Sequence, residues 1–403
     1  MTSAPGRLDF LNTHQDYKGL PVVGVGVNLR CFIGIKELSS DVVKVASENL
    51  RREGLEWRDS FNPKEPLLKG GGWFGDYLRA VVKVLRDGGI DVPGMEVLII
   101  SDVPVASGLA SSAALEVAFT WGINELLKLG LKRREVAEVA YEAEHDVMGI
   151  PCGRLDQYSS VFGGVTYIET KPPYNVEKLN FTKGVFTVAD SGIRHSTAEV
   201  HPRRQAEINE GLRELLKQDL PEGLRSRLGS EYWSVSWSEL SEEELRPYLL
   251  RIPEVPRRRI LYTLRTHKST LVALKVMRGE SVSDEFIREF LGVKWLNYID
   301  KLVREGVSKD LATVAAVVNH QHELLRDLYD VSLPELERIR DASLRAGALG
   351  TKLSGAGLGG SLISLSTDYG VAAEVALACK SAGAVSALTV NYDEGARTDY
   401  VRK

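Results

Sequence analysis

The chain has 403 residues, 43% of them hydrophobic and 26% charged, enough for two domains of ordinary size or one large one. Its 51 basic and 55 acidic residues are well mixed, with a formal net charge of −4, which excludes an electrostatic footprint for nucleic acid or for an anionic membrane. The three cysteines (Cys31, Cys152 and Cys379) lie in no metal-ligand spacing, and neither a secretory signal pattern nor an apolar run of roughly 20 residues is present, so the expected compartment is the cytoplasm.

In chain order, residues 20–36 read as apolar, β-prone segments, and 96–101 as a short buried strand. Helical spacing follows over 113–128, carried by Leu115, Phe119, Ile123 and Leu126 or Leu127. A second, more charged helix over 132–147 ends at the turn Gly149-Ile150-Pro151. Strand-like runs return at 164–169 and 185–190, residues 196–345 are largely helical in pattern, and the remainder carries short strands around one more helix. Strands and helices without strict βαβ alternation predict an α+β fold. The turn after Lys171 sets an expected division into residues 1–185 and 186–403.

Two segments rich in small residues stand out. The first, Pro104–Ala114, contains Ser107, Gly108, Leu109, Ala110, Ser111 and Ser112 between a strand and a helix. Small residues admit a bound group close to the backbone, and a helix N-terminus offers unpaired N–H donors, which together favour phosphate. Taken alone, the segment reads more simply as a strand-to-helix turn capped by serine. The second, Gly350–Gly360, fits G-x-G-x-x-G through Gly355, Gly357 and Gly360. That dinucleotide fingerprint needs a helix after the glycines, whereas here a strand-like Ser-Leu-Ile-Ser-Leu-Ser follows. A Walker A ending is also absent, so both nucleotide fingerprints fail.

Taken with Ala4-Pro-Gly-Arg7, these two loops resemble, in order and spacing, the three motifs of the GHMP kinase superfamily. Further segments are similar to its galactokinase branch: His14-Gln-Asp16-Tyr17, Glu144-His145, Gly149–Gln157, Asp190–His195, Arg203-Arg204 and Leu325–Ser332. The resemblance runs nearly end to end. It implies two α+β domains with the active site in the cleft between them, ATP and Mg²⁺ as cofactors, and a small-molecule sugar as the partner.

By the same resemblance, Asp156 is the catalytic carboxylate that accepts the proton of the attacking sugar hydroxyl, and Arg7 offsets charge on the transferring phosphoryl group. Ser112 and Glu144 match the magnesium-binding pair. Thr13, His14, Asp16, Gly153 and Asp156 fall at sugar-contact positions, and Tyr262 matches a contacting tyrosine less closely. The 107–112 segment, Gly355 and Gly357 match nucleotide-binding positions. Trp73 and Tyr77 resemble an aromatic pair near the family's adenine pocket, although a place in the core is equally expected of them.

The chain departs from the pattern in three places. Thr13 replaces a glutamate expected to bind the sugar's C6 hydroxyl, Arg154 replaces an apolar residue two positions before Asp156, and Ala106 replaces a glycine of the phosphate loop. The leading expectation is a galactokinase. A kinase of galacturonate or another modified hexose is the alternative that Thr13 and Arg154 motivate, and a non-catalytic sugar-sensing paralogue is the alternative of another class.

Overall fold

The computed structural model describes residues 1–105, 107–194 and 197–401, the side chains of 197–199 excepted; Ala106 and His195 lie outside the described residues. The strands are β1 (Thr2–Leu11), β2 (Val22–Glu37), β3 (Val43–Ser47), β4 (Arg58–Phe61), β5 (Met95–Ser101), β6 (Val165–Ile168), β7 (Val176–Leu179), β8 (Val185–Asp190), β9 (Gly350–Ser354), β10 (Ser361–Ser366), β11 (Ser386–Val390) and β12 (Arg397–Thr398). The fold is α+β, and the chain divides into two compact units.

The first unit comprises residues 1–8, 24–166 and 392–403. Its sheet runs β12-β1-β2-β5-β3-β4. β2 and β5 are antiparallel, with Cys31 opposite Ser101, while β3 and β5 are parallel, with Val43 opposite Met95. Against this sheet the unit sets the helices Asp76–Asp87, Ser111–Leu127, Arg133–Glu142 and Leu155–Phe162. Arg30, 3% exposed, ties the chain's two ends into this unit. Its guanidinium donates to Ser3 Oγ and O, to Asp393 Oδ2, and to the carbonyls of Glu394 and Gly395, all within 3.1 Å. A buried guanidinium is tolerable only when its donors are met in this way.

The second unit comprises residues 9–23 and 167–391. Its antiparallel sheet runs β11-β8-β10-β9. β9 and β10 are buried along their whole length, and the loop 355–360 between them holds the second glycine-rich segment. Long helices, among them Glu254–Met277 and Lys309–Asp327, build the rest of the core around Trp237, Tyr262 and Tyr329. No helix among the described residues is long and apolar enough to cross a membrane.

Candidate active site

In the first unit, Ala4-Pro-Gly-Arg7 lies within β1, whose ten residues are all buried. Gly6 is needed for close approach: a Cβ there would stand 2.9 Å from the Leu109 carbonyl oxygen. The Arg7 N–H donates to that same oxygen at 2.9 Å. The Arg7 side chain then turns two ways, with Nε on Asp156 Oδ1 at 2.7 Å and NH1 on the Gly108 carbonyl at 2.6 Å. One guanidinium thus joins β1, the segment 107–110 and the first turn of the helix Leu155–Phe162, a task for which its rigid fork suits it better than lysine.

The segment 107–110 ends in Ala110, whose φ of 54° and ψ of 55° put a non-glycine residue in the left-handed region. Such strain gathers where a surrounding site imposes it. Ser111 and Ser112 open the helix as its first two residues, and no side chain among the described residues caps it, contrary to the simple serine-capped turn. The first-turn N–H groups are therefore left for a ligand. Beside this end lies a cavity of about 470 Å³, bordered by Cys31, Asn49, Phe74, Tyr77, Ser111 and Ser112. Trp73 is not among its lining residues; its ring packs on Phe74 and under the Lys69 ammonium. Phe74 went unnoticed in the sequence because Trp73 stands one position earlier.

Glu144 sits on a single π-helical turn, Ala143–Val147, which continues the helix Arg133–Glu142. Such turns are uncommon and gather at functional sites. Its carboxyl is pushed up to about 7, by burial first and by the neighbouring Asp156 second, with the Ser112 hydroxyl, Arg7 and Gln157 opposing. Gln157 Nε2 donates to Glu144 Oε2 at 2.6 Å. Glu116, one helical turn after Ser112 and fully buried, belongs to the same group and was not singled out from the sequence. Both its carboxylate oxygens lack hydrogen-bond partners among the described residues. Burial and the Glu144 charge hold it well above the usual carboxylate range. Gly153 lies in the half-buried loop just before Asp156. Arg154 is committed elsewhere: Nε and NH2 fork onto Glu138 at 2.9 and 3.0 Å, with the guanidinium over the Tyr141 ring.

In the second unit, Thr13 and His14 follow β1, and Asp16 opens the short turn Asp16–Lys18. The Thr13 hydroxyl donates to Asp9 Oδ1 at 2.9 Å and accepts from Lys352 Nζ at 2.8 Å. Lys352 also donates to the Asp9 carbonyl, and Gly355 N–H to Asp9 Oδ2 at 3.3 Å. His14 Nε2 meets the Ala356 carbonyl at 3.0 Å, and Nδ1 meets the Tyr17 hydroxyl at 3.1 Å. Burial, and then the nearby His201 and Lys18, hold its imidazole well below the usual histidine range. These contacts bring Thr13, His14, Gly355 and the loop at Gly357 together. Tyr262 is fully buried, stacked on Tyr329, and donates to the Thr13 carbonyl at 2.7 Å, so it braces the backbone of this segment. Asp9 and Lys352 were not singled out from the sequence; each is a charged residue inside an otherwise buried strand.

Comparison with known families gives this arrangement its class. The GHMP kinases N terminal domain matches residues 76–164, and the GHMP kinases C terminal matches residues 300–385. The chain thus resembles the GHMP kinases in both of these segments and is a phosphotransferase with a hydroxyl acceptor. Within that class it is similar to galactokinases: it is 29% identical to that of Thermotoga neapolitana over 370 residues, covering 90% of this chain and 88% of the relative. It is also 29% identical to the galactokinase of a Roseiflexus species over 368 residues, covering 90% and 82%. Lactococcus lactis galactokinase, whose crystal structure holds galactose, shares the fold with a TM-score of 0.75 and 23% identity, covering 98% of this chain and 94% of that one.

Proposed function

We propose that this chain is a galactokinase, transferring the γ-phosphoryl group of ATP in line to the anomeric hydroxyl of galactose. The observation that carries the reading is the Arg7–Asp156 pair, anchored on the Gly108 carbonyl beside an uncapped helix N-terminus. That end of the helix binds the phosphates through first-turn N–H groups. Asp156, held at Oδ1, takes the hydroxyl proton on its other oxygen as that hydroxyl attacks. Arg7 stabilises charge on the phosphoryl group in transit. The cavity bordered by Phe74 and Tyr77 takes the adenine ring. By the family resemblance, sugar-binding roles fall to Thr13, His14, Asp16 and Gly153, and nucleotide-binding roles to Gly355 and Gly357.

Ser112 and Glu144 would hold a magnesium ion, which when bound neutralises phosphate oxygens. They fit one: both offer hard oxygen donors, and burial leaves the Glu144 carboxylate short of countercharge. Among the described residues no group of three or more acidic, histidine or cysteine ligands occurs, so nucleotide oxygens and water would complete the coordination.

The acidic-sugar alternative loses one of its two motives, since the Arg154 charge is matched by Glu138. The test is ADP release with Mg-ATP across galactose, glucose, galactosamine, N-acetylgalactosamine and galacturonate, with Asp156→Ala as control. Galactose leading, and activity lost in the control, supports the reading; absence of turnover with any sugar overturns it and favours a sensor.

A further inference from the structure

The contacts around Thr13 bear on which sugar is accepted. Its hydroxyl has one hydrogen and two lone pairs. The hydrogen is given to Asp9 Oδ1, and one lone pair is taken by Lys352 Nζ. What remains is an acceptor, so a ligand group meeting Thr13 must bring a hydrogen of its own. A hydroxyl does so and a carboxylate does not. Charge points the same way. Lys352 alone would draw an anionic substituent toward Thr13, but the Asp9 carboxylate lies on the same hydroxyl and balances it. Thr13 is 2% exposed, Asp9 4% and Lys352 fully buried, so these charges act with little screening from solvent. The carboxylate missing from position 13 is thus present four residues earlier, reaching the same spot through the threonine.

We infer that Asp9 is a specificity-determining positioning residue: acting through Thr13, it selects a hydroxymethyl group over a carboxylate, making the substrate a neutral hexose rather than a hexuronate. The inference rests on the proposed reading that Thr13 faces C6 of the sugar. Asp9→Asn tests it, because asparagine keeps an oxygen to accept from Thr13 while removing the charge.

The measurement is kcat/KM for galactose, 6-deoxygalactose and galacturonate with Mg-ATP. The parent chain is expected to favour galactose over galacturonate, and Asp9→Asn to narrow that ratio by at least about tenfold, mostly through KM. Thr13→Val, which leaves both charges in place, guards against a misfolded Asp9 variant. It is expected to lower the preference for galactose over 6-deoxygalactose by about tenfold. A parent that prefers galacturonate, an Asp9→Asn ratio within twofold of the parent's, or a Thr13→Val loss shared equally by both neutral sugars overturns the inference while galactose turnover survives. A parent inactive on every hexose overturns the galactokinase reading as well.

Discussion

Replacing Gly6 with alanine probes how tightly β1 and the segment 107–110 must approach. The added methyl would lie 2.9 Å from the Leu109 carbonyl oxygen and 3.1 and 3.3 Å from the two Val103 methyls. Val103 can rotate, but the carbonyl is backbone and is already bonded to the Arg7 N–H. Relief therefore requires the loop to retreat by about 0.5 Å, toward ordinary van der Waals contact. Overpacking of this kind costs about 1–3 kcal/mol, and with one rigid contact of three we expect about 2. The retreat also lengthens the bond from Arg7 NH1 to the Gly108 carbonyl and shifts the loop against Asp156. Since a displacement of about 1 Å can cost about a hundredfold in rate, about tenfold in kcat is expected, with KM for ATP raised severalfold. The assay is coupled ADP release with galactose, paired with urea unfolding. Gly34→Ala is the control, because its methyl would meet only the Leu98 Cβ, at 3.8 Å. A Gly6→Ala protein within twofold of the parent in kcat and KM, with an unchanged unfolding midpoint, would refute the close-approach argument.

Three other outcomes are expected. Asp156→Ala should lower kcat by about a thousandfold or more while nucleotide binding, followed by fluorescence of an ATP analogue, stays within about threefold. The Glu144 carboxyl is raised to about 7, so the ionised form that would hold the proposed magnesium is depleted below that pH. Half-saturating Mg²⁺ should accordingly rise about fivefold from pH 7 to pH 6 and level off above pH 8, and Glu144→Gln should flatten that profile. His267 is lowered to about 4 by burial, and His320 to about 4 by burial first and then by Arg265 and Lys294. The unfolded chain therefore binds the extra protons first, and stability present above about pH 6.5 drains away as pH falls toward 4. Allowing for partial exposure, the two should cost about 3 kcal/mol together, read as a falling urea midpoint that His267→Phe moderates.

Much of the architecture was legible because its residues report locally. β2 and β5 are rich in valine and isoleucine, and the helix Ser111–Leu127 shows its spacing openly. β1 was not legible as a strand: Ala-Pro-Gly-Arg reads as a turn, and its extended course is imposed by burial on both faces. Arg7, Ser112, Glu144 and Asp156 were singled out by motif, and their side chains lie near one another in the first unit. The π-helical turn under Glu144 left no trace, since one residue of extra winding barely alters the apolar spacing. Arg154 was ambiguous because its partner, Glu138, lies on a different helix. Asp9 and Glu116 did leave a signal, each an acid inside an apolar run, and the physics of burying a charge explains why such residues warrant attention.

The clamp made by Arg30 has a consequence for biosynthesis. Its partners at Asp393, Glu394 and Gly395, and the pairing of Thr2 with Thr398, join β1 and β2 to residues translated long after them. The first unit can therefore not finish folding on the ribosome when its own central stretch, 24–166, has emerged. For all the time that residues 167–391 are being made, the buried strand β1 lacks its edge partner and Arg30 lacks three of its acceptors, which exposes an unpaired strand edge to other nascent chains. Closing a loop that spans residues 31–392 makes this docking step a slow one.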